Sequence, residues 1–308
     1  MSTIAKTRYE AGGRAENTPE DRSIRNKLLR SIPADELAQV LSISERVQLV
    51  PHQVLHNHML AIEHVYFIES GLVSVAAMVG RGKFVEVWLT GSEGLVGVPV
   101  VVASDAVSLH RRTVQVVGQA LRIKAREFRE AVKALSALRA VVHAYLGVVL
   151  VQTSQSGACN SVHSLKHRLA RWLLLARFSL GSDKIPLTHT ILAQLLGVRR
   201  ASVTECLETL ESDGFIATQR GLIEIRDSER LSDICCDCFG LISREYNRQL
   251  APFAQSGFYE NKIETCDFGL PSALNLIRPR AVADTAVAPL SPLAADRQTS
   301  SSNEKRSR

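Results

Sequence analysis

None of the six cysteines of this 308-residue chain lies before Cys159, and three of them crowd together as Cys235, Cys236 and Cys238. That distribution excludes a disulfide-stapled secreted scaffold and fits reduced thiols. No apolar run reaches the length of a membrane span, since the richest, Ala140 to Val151, is interrupted by His143 and Tyr145. The start is polar and charged, so no signal peptide is expected, and the expectation is a cytoplasmic protein with no membrane partner. Gly91-x-x-Gly94-x-x-Gly97 lacks the G-x-G-x-x-G spacing and a long following helix, and no Walker Lys-Ser/Thr pair occurs. A Ser-His-Asp or paired-carboxylate signature is missing too. No catalytic residue and no cofactor are therefore expected.

What is present fits two modest soluble domains, with 45% apolar residues and a formal charge of +6. The positive balance agrees with a nucleic-acid partner without demanding one. Residues 1–21 are polar and read as disordered. Short amphipathic helices are expected between Arg22 and Val47. From Gln48 to Ile123 short β-branched runs and glycine turns replace helical spacing. Strands are expected at His64 to Ser70, Leu72 to Met78, Lys83 to Leu89, Leu95 to Val102, Arg112 to Val117 and Ala120 to Ile123. Such a pattern reads as a sandwich or roll. Ala125 to Thr153 reads as one long helix, apolar on more than one face, which should be buried on two sides. One side would cover the strands; the other would meet a second subunit, or the same chain. Further helices are expected over Ser161 to Leu180, with Lys166, Arg168 and Arg171 largely outward, and over Leu231 to Leu250. Beyond Ser256 the chain reads as a mostly disordered tail.

The most informative stretch is LTHTILAQLLGVRRASVTECLETLESDGFIATQRGLIEIRD, Leu187 to Asp227. Thr188 is an N-cap ahead of the apolar run Ile191 to Leu196, and Gly197 breaks that run. A second helix begins near Arg199 or Arg200, carries Val203, Cys206, Leu207 and Leu210 on one face, and ends at Asp213-Gly214. Small Ala193 allows close approach of the two helices. Gln219-Arg220-Gly221 then turns a short hairpin, the wing. This is the spacing of a winged helix-turn-helix, in which the start of the second helix enters the major groove. Thr188, Arg199, Arg200, Ala201, Ser202, Thr204, Glu205 and Arg220 are the candidate DNA contacts. Arginine suits the two acceptors of guanine, and hydroxyls suit phosphates.

Over roughly residues 24 to 245 the chain resembles the Crp/Fnr superfamily of bacterial transcription regulators. A cyclic-AMP-binding member's recognition helix reads Arg-Glu-Thr-Val-Gly-Arg, and the matching residues here are Arg200, Ala201, Ser202, Val203, Thr204 and Glu205. Ala201 and Glu205 depart from it, so that member's target sequence is not carried over. The resemblance implies an α+β chain: an antiparallel, jelly-roll-like β-roll sensor over 22–124, a dimerisation helix over 125–153 and a winged helix-turn-helix over 154–228. A C-terminal helix and tail would follow over 229–308. It further implies a homodimer on a palindromic double-stranded operator, contact with RNA polymerase and an effector whose identity is unknown. Cyclic-nucleotide-binding relatives use a Gly-Glu-Leu segment and a later Arg-Ser/Thr-Ala. Here Gly94-Leu95-Val96-Gly97 resembles the Gly-Glu-Leu segment, with Glu93 on the wrong side of Gly94. His110-Arg111-Arg112-Thr113 resembles the later one, so either Arg111 or Arg112 takes the phosphate role, beside Thr113. Thr153 and Ser154 match a hydroxyl pair near the base. The plainer reading, a solvated arginine pair, is preferred.

The rival reading is a cupin-like metal enzyme or metal sensor built on His56, His58 and Glu63, because His-x-His on a strand sets both rings on one face. It lacks that motif's leading glycine and the downstream Pro-x-Gly with histidine. The thiols of Cys235, Cys236 and Cys238 need a fourth ligand from elsewhere to share a metal, Cys266 being the candidate, and a structural role is preferred with no metal expected. Iron–sulfur members of the superfamily carry an N-terminal cysteine cluster, which is missing here.

Overall fold

The computed structural model describes residues 24–80, 82–103 and 106–253. The expectations for residues 1–21 and for the tail beyond Ser256 lie outside them. The chain enters on two short helices, α1 (Lys27–Arg30) and α2 (Ala34–Ser42). Asn26 begins α1: its side-chain oxygen accepts from the amides of Leu28 and Leu29, and its side-chain nitrogen donates to the carbonyls of Ile68 and Gly94. One buried side chain thus caps a helix and fastens it to the sheet.

Strands β1 (Glu45–Leu49), β2 (Val54–His56), β3 (His64–Gly80), β4 (Lys83–Thr90), β5 (Leu95–Val96) and β6 (His110–Lys124) form one antiparallel sheet. Its order is β1-β6-β3-β4, with β2 also on β6 and β5 also on β3. Side chains alternate as a pleat demands. Val65 and Phe67 join the core shared with the helices, whereas Tyr66 and Ile68 pack inside the roll with Leu49, Val114 and Ala120.

The sequence reading cut β3 and β6 into two strands each; both are continuous. The glycines taken as strand ends sit opposite each other. A Cβ on Gly71 would lie 2.6 Å from the Val116 carbonyl oxygen, and one on Gly118 would lie 2.0 Å from that of Ser70. The register shifts around Ser70, so the glycines serve a bulge and a close backbone approach within a single pair of strands. Another difference follows Val96. The strand expected to Val102 stops there, and Pro99 opens a short helix, α3 (Pro99–Val102).

The expected single helix from Ala125 is two, α4 (Ala125–Ala134) and α5 (Ser136–Val162), parted at Leu135, which has extended backbone angles. The reason lies far away in sequence. Glu36 on α2 accepts from the amides of Ala137 and Leu138, at 3.1 and 2.8 Å, and so caps α5 at its positive end. Against the expectation that no run is long enough, α5 would by length and composition alone suffice to cross a membrane. Its buried residues include Gln152 and Ser156 besides Val142 and Tyr145, and they make it a core helix.

Helix α6 (Leu165–Leu180), capped by Ser164, opens the second half and is followed by β7 (Lys184–Ile185), α7 (His189–Leu196) and α8 (Arg200–Ser212). Strands β8 (Ile216–Gln219) and β9 (Leu222–Ile225) form the wing, and β7 joins them in the order β7-β9-β8. The single helix expected over Leu231 to Leu250 is two, α9 (Ser228–Asp233) and α10 (Cys238–Leu250), ending in a 3-10 turn, Ala251–Phe253. Helix α10 lies along α5: Tyr246 donates to Gln152 Oε1 at 3.3 Å, and Gln249 lies over Gly147. The second apolar side of α5 is therefore covered, at least in part, by its own chain.

Candidate nucleic-acid interface

Local signals build the helix pair. The Thr188 hydroxyl accepts from the amide of Ile191, and Gly197 ends α7 at φ +68°, a conformation that favours glycine. A side chain at residue 197 would also press on Val85 of β4 at 3.0 Å. Val203, Leu207 and Leu210 are fully buried and hold α8 against the core. The opposite face begins with Arg199, Arg200 and Ala201, all exposed, and continues to exposed Glu205. Arg220 is exposed at the tip of the wing.

Two expected contacts serve the scaffold as well, and a third is partly covered. Besides the capping Thr188 hydroxyl, Thr204 Oγ1 bonds His189 Nδ1 at 3.1 Å across the two helices, and Ser202 is half-buried. Other positioning residues escaped the sequence reading. Glu211 accepts from the Thr218 amide and hydroxyl, each at 2.6 Å, and fixes the wing to α8. Arg168 donates to the Leu196 carbonyl at 2.7 Å and caps the end of α7. Arg171, expected outward, is 5% exposed and donates to Ser156 Oγ. A single arginine in a helix pattern carries no mark of such burial.

The effector candidates are dispersed or engaged. Arg112 is 1% exposed, so the surface-pair reading fails for it. It donates to Ser108 Oγ and the His110 carbonyl, and burial holds its pKa down at about 10. Arg111 stacks on Phe84, 4.0 Å from the ring centre, and Thr113 is half-buried. The hydroxyls of Thr153 and Ser154 are spent on the carbonyls of Val149 and Leu150 in their own helix.

The loop matching the nucleotide cassette is seated on α6. Glu93, 1% exposed, accepts from the Gly91 amide and from Ser179 Oγ, both at 2.9 Å. The Ser92 amide donates to the Ser179 carbonyl at 3.2 Å. A further link joins the same halves: the Trp172 indole donates to both carboxylate oxygens of Glu86 on β4, at 2.9 and 3.1 Å.

Burial pushes the Glu86 carboxyl up from its ordinary 4.5 to about 7, opposed by the Trp172 bond and the Arg171 charge. With a raised folded-state pKa, its contribution to stability is full below 4.5 and is lost as pH rises through about 7. Urea midpoints should therefore fall between pH 5 and 7, with Glu86 supplying less than about 1.4 kcal/mol per pH unit. Glu86→Gln should flatten that slope; an unchanged slope would remove Glu86 as its source.

The residues of the rival metal reading are not gathered. His56 Nε2 bonds the His64 carbonyl, His58 Nδ1 bonds the Leu109 carbonyl, and Glu63 is exposed. Among the described residues the grouping of potential metal ligands lies elsewhere, at Cys159, His163, Cys236 and Cys238.

Residues 167–234 match the Crp-like helix-turn-helix domain. Solved structures share the architecture at low identity. The c-di-GMP responsive global regulator CLP of Xanthomonas campestris superposes with a TM-score of 0.53 at 16% identity, over 63% of this chain and 99% of its own. FixK2 of Bradyrhizobium japonicum gives 0.55 at 14%, over 63% and 98%. A protein of Eubacterium rectale assigned to the Crp/Fnr family of transcriptional regulators gives 0.51 at 16%, over 67% and 96%. A sequence search of curated proteins finds no match. The chain carries a Crp-like helix-turn-helix domain within the α+β fold of Crp/Fnr regulators, and the resemblance read from the sequence stands.

Proposed function

We propose that this protein is a sequence-specific, DNA-binding transcriptional regulator that acts as a homodimer. The observation that carries this reading is the division of α8. Its Val203, Leu207 and Leu210 face is fully buried, while Arg199, Arg200, Ala201 and Glu205 stand exposed at the end that would enter a major groove. Thr188, Ser202 and Thr204 line the same region, and Arg220 on the wing reaches for a flanking phosphate. Two such helices would read half-sites roughly 34 Å apart. RNA polymerase is the further partner and the cytoplasm the compartment on this reading. Gel shifts with genomic fragments against a random competitor test it; equal affinity for both would count against sequence-specific reading.

What α10 leaves uncovered supports the dimer. Leu150 is 70% exposed in the apolar stretch Gly147 to Val151 of α5. Burying a leucine contributes roughly 1.5–3 kcal/mol, so Leu150→Glu should weaken self-association more than tenfold with the monomer fold intact. Sedimentation at micromolar concentration should show a dimer for the native chain. A monomer that fills a two-fold site as a single unit would overturn this part of the proposal.

The sensing half passes its state through the Gly91–Gly94 loop and the Glu86–Trp172 pair, and its effector is not cyclic AMP. A ribose hydroxyl needs an acceptor, and leaving one buried without it costs about 1–3 kcal/mol. Leu95 and Val96 are apolar and 1% exposed, Glu93 is equally buried with its Oε1 held by Gly91 and Ser179, and Arg112 is buried with its Nη1 on Ser108 and His110. The response of CLP to c-di-GMP is not transferred at 16% identity. Calorimetry should detect no submicromolar binding of cyclic AMP or cyclic GMP; such binding, with a gain in DNA affinity, would disprove this assignment.

A further inference from the structure

We propose that Cys159, His163, Cys236 and Cys238 bind one zinc ion, mononuclear and tetrahedral, at the joint between α5 and α6. One ligand atom from each lies within 4.8 Å of every other. Cys159 Sγ is 3.5 Å from Cys236 Sγ, and Cys238 Sγ is 3.6 Å from His163 Nδ1. A tetrahedron with zinc–sulfur bonds of about 2.3 Å has edges of about 3.8 Å, so two edges are already nearly formed. A four-iron cluster attaches each cysteine to a different iron and a two-iron cluster divides its four ligands between two irons, so either needs some of the ligand atoms farther apart than a single zinc does. Three sulfurs and one imidazole are a donor set that zinc takes in closed structural sites.

The chain builds the site from two pieces. Cys159 and His163, four apart at the end of α5, share a face, and the His163 amide still bonds the Cys159 carbonyl at 3.0 Å. Cys236 lies in the break between α9 and α10 and Cys238 opens α10, in a stretch the sequence pattern would have made one continuous helix. Had that helix continued, the two thiols could not have converged, so the break is what makes the set. Cys159, Cys236 and Cys238 are nearly fully buried, which keeps a bound ion from water. Gln155 donates to Cys238 Sγ at 3.1 Å, an outer contact of the kind that orients metal-bound thiolates.

Charge agrees. As three zinc–sulfur bonds and one zinc–nitrogen bond form, three thiol protons leave to solvent, and the site carries one net negative charge. Arg171, 5% exposed, lies within electrostatic reach of Cys159 and Cys235, and its Nε has no partner among the described residues. It would supply the compensating cation, shared with Glu86 on β4. Only His163 and Ser164 separate α5 from α6. The ion would therefore lock the joint between the long helix and the helix-turn-helix to the start of α10. The assignment rests on these side chains and is independent of DNA recognition. Cys266, the fourth ligand considered from the sequence, lies outside the described residues.

The test is metal analysis of the full chain purified under reducing conditions, followed by replacement with cobalt(II). One zinc per chain is expected, together with the intense visible bands of tetrahedral cobalt thiolate. Cys159→Ser, Cys238→Ser and His163→Ala should each lose stoichiometric metal, and Gln155→Ala should weaken zinc about 10–100-fold. Cys235→Ser, which alters a neighbour outside the set, should keep it. Native protein with free thiols and no zinc, or with iron and sulfide in its place, would overturn the assignment whether or not the variants fold. Full zinc retention in folded Cys159→Ser and His163→Ala would do the same.

Discussion

Arg200→Ala is expected to weaken specific DNA binding by about 1–3 kcal/mol and to relax preference at one base pair. Arg200 is the first residue of α8, exposed, and next to an equally exposed Arg199. A bidentate pair with guanine is lost when the guanidinium is removed, and among the described residues no hydrogen bond or ion pair engages that side chain. The melting temperature should therefore be unchanged. Competition titrations against a panel of single-base variants separate two roles. Loss confined to one position identifies a base contact. A uniform loss on specific and random DNA, with a shallower salt dependence, would demote Arg200 to a phosphate contact.

Trp172→Ala should have the largest effect on stability, about 3–5 kcal/mol. Trp172 is 2% exposed in the core shared by the roll and the helix-turn-helix, and its indole is the donor on Glu86. Truncation leaves a cavity and strips a half-buried carboxylate of a partner. Trp172→Phe keeps most of the volume and loses the bond, so about 1–3 kcal/mol is expected. Chemical denaturation with both variants separates packing from hydrogen bonding. No loss in Trp172→Phe would mean that the bond to Glu86 contributes nothing, and equal losses in the two variants that packing contributes nothing beyond the bond.

The helix-turn-helix was legible because its signals are local. Thr188 caps within three residues, Gly197 and Gly214 take positive φ at helix ends, and the buried positions of α8 recur at three and four. What escaped reading depends on partners far along the chain. The start of α5 is set by Glu36, about a hundred residues earlier. Gly71 and Gly118 read as strand ends because their opposition across β3 and β6 is invisible locally. Strand β7 is two residues long and exists only against β9. Arg171 and the Cys159–His163 pair sit in unremarkable helical spacing until α10 folds back on α5. For the effector, the sequence located Arg111 and Arg112 without saying that one would stack on Phe84 and the other be buried.

Footprinting of the native chain on bound genomic fragments, at physiological salt, tests most directly whether α8 reads DNA as one half of a pair. Protection of a two-fold site is expected, with half-sites about one helical turn apart and an affinity at least about a thousandfold above that for random DNA. Arg200→Ala should erase this preference at its own base pair. Protection without a two-fold pattern, or with no preference over random sequence, contradicts the assignment of α8 as a recognition helix.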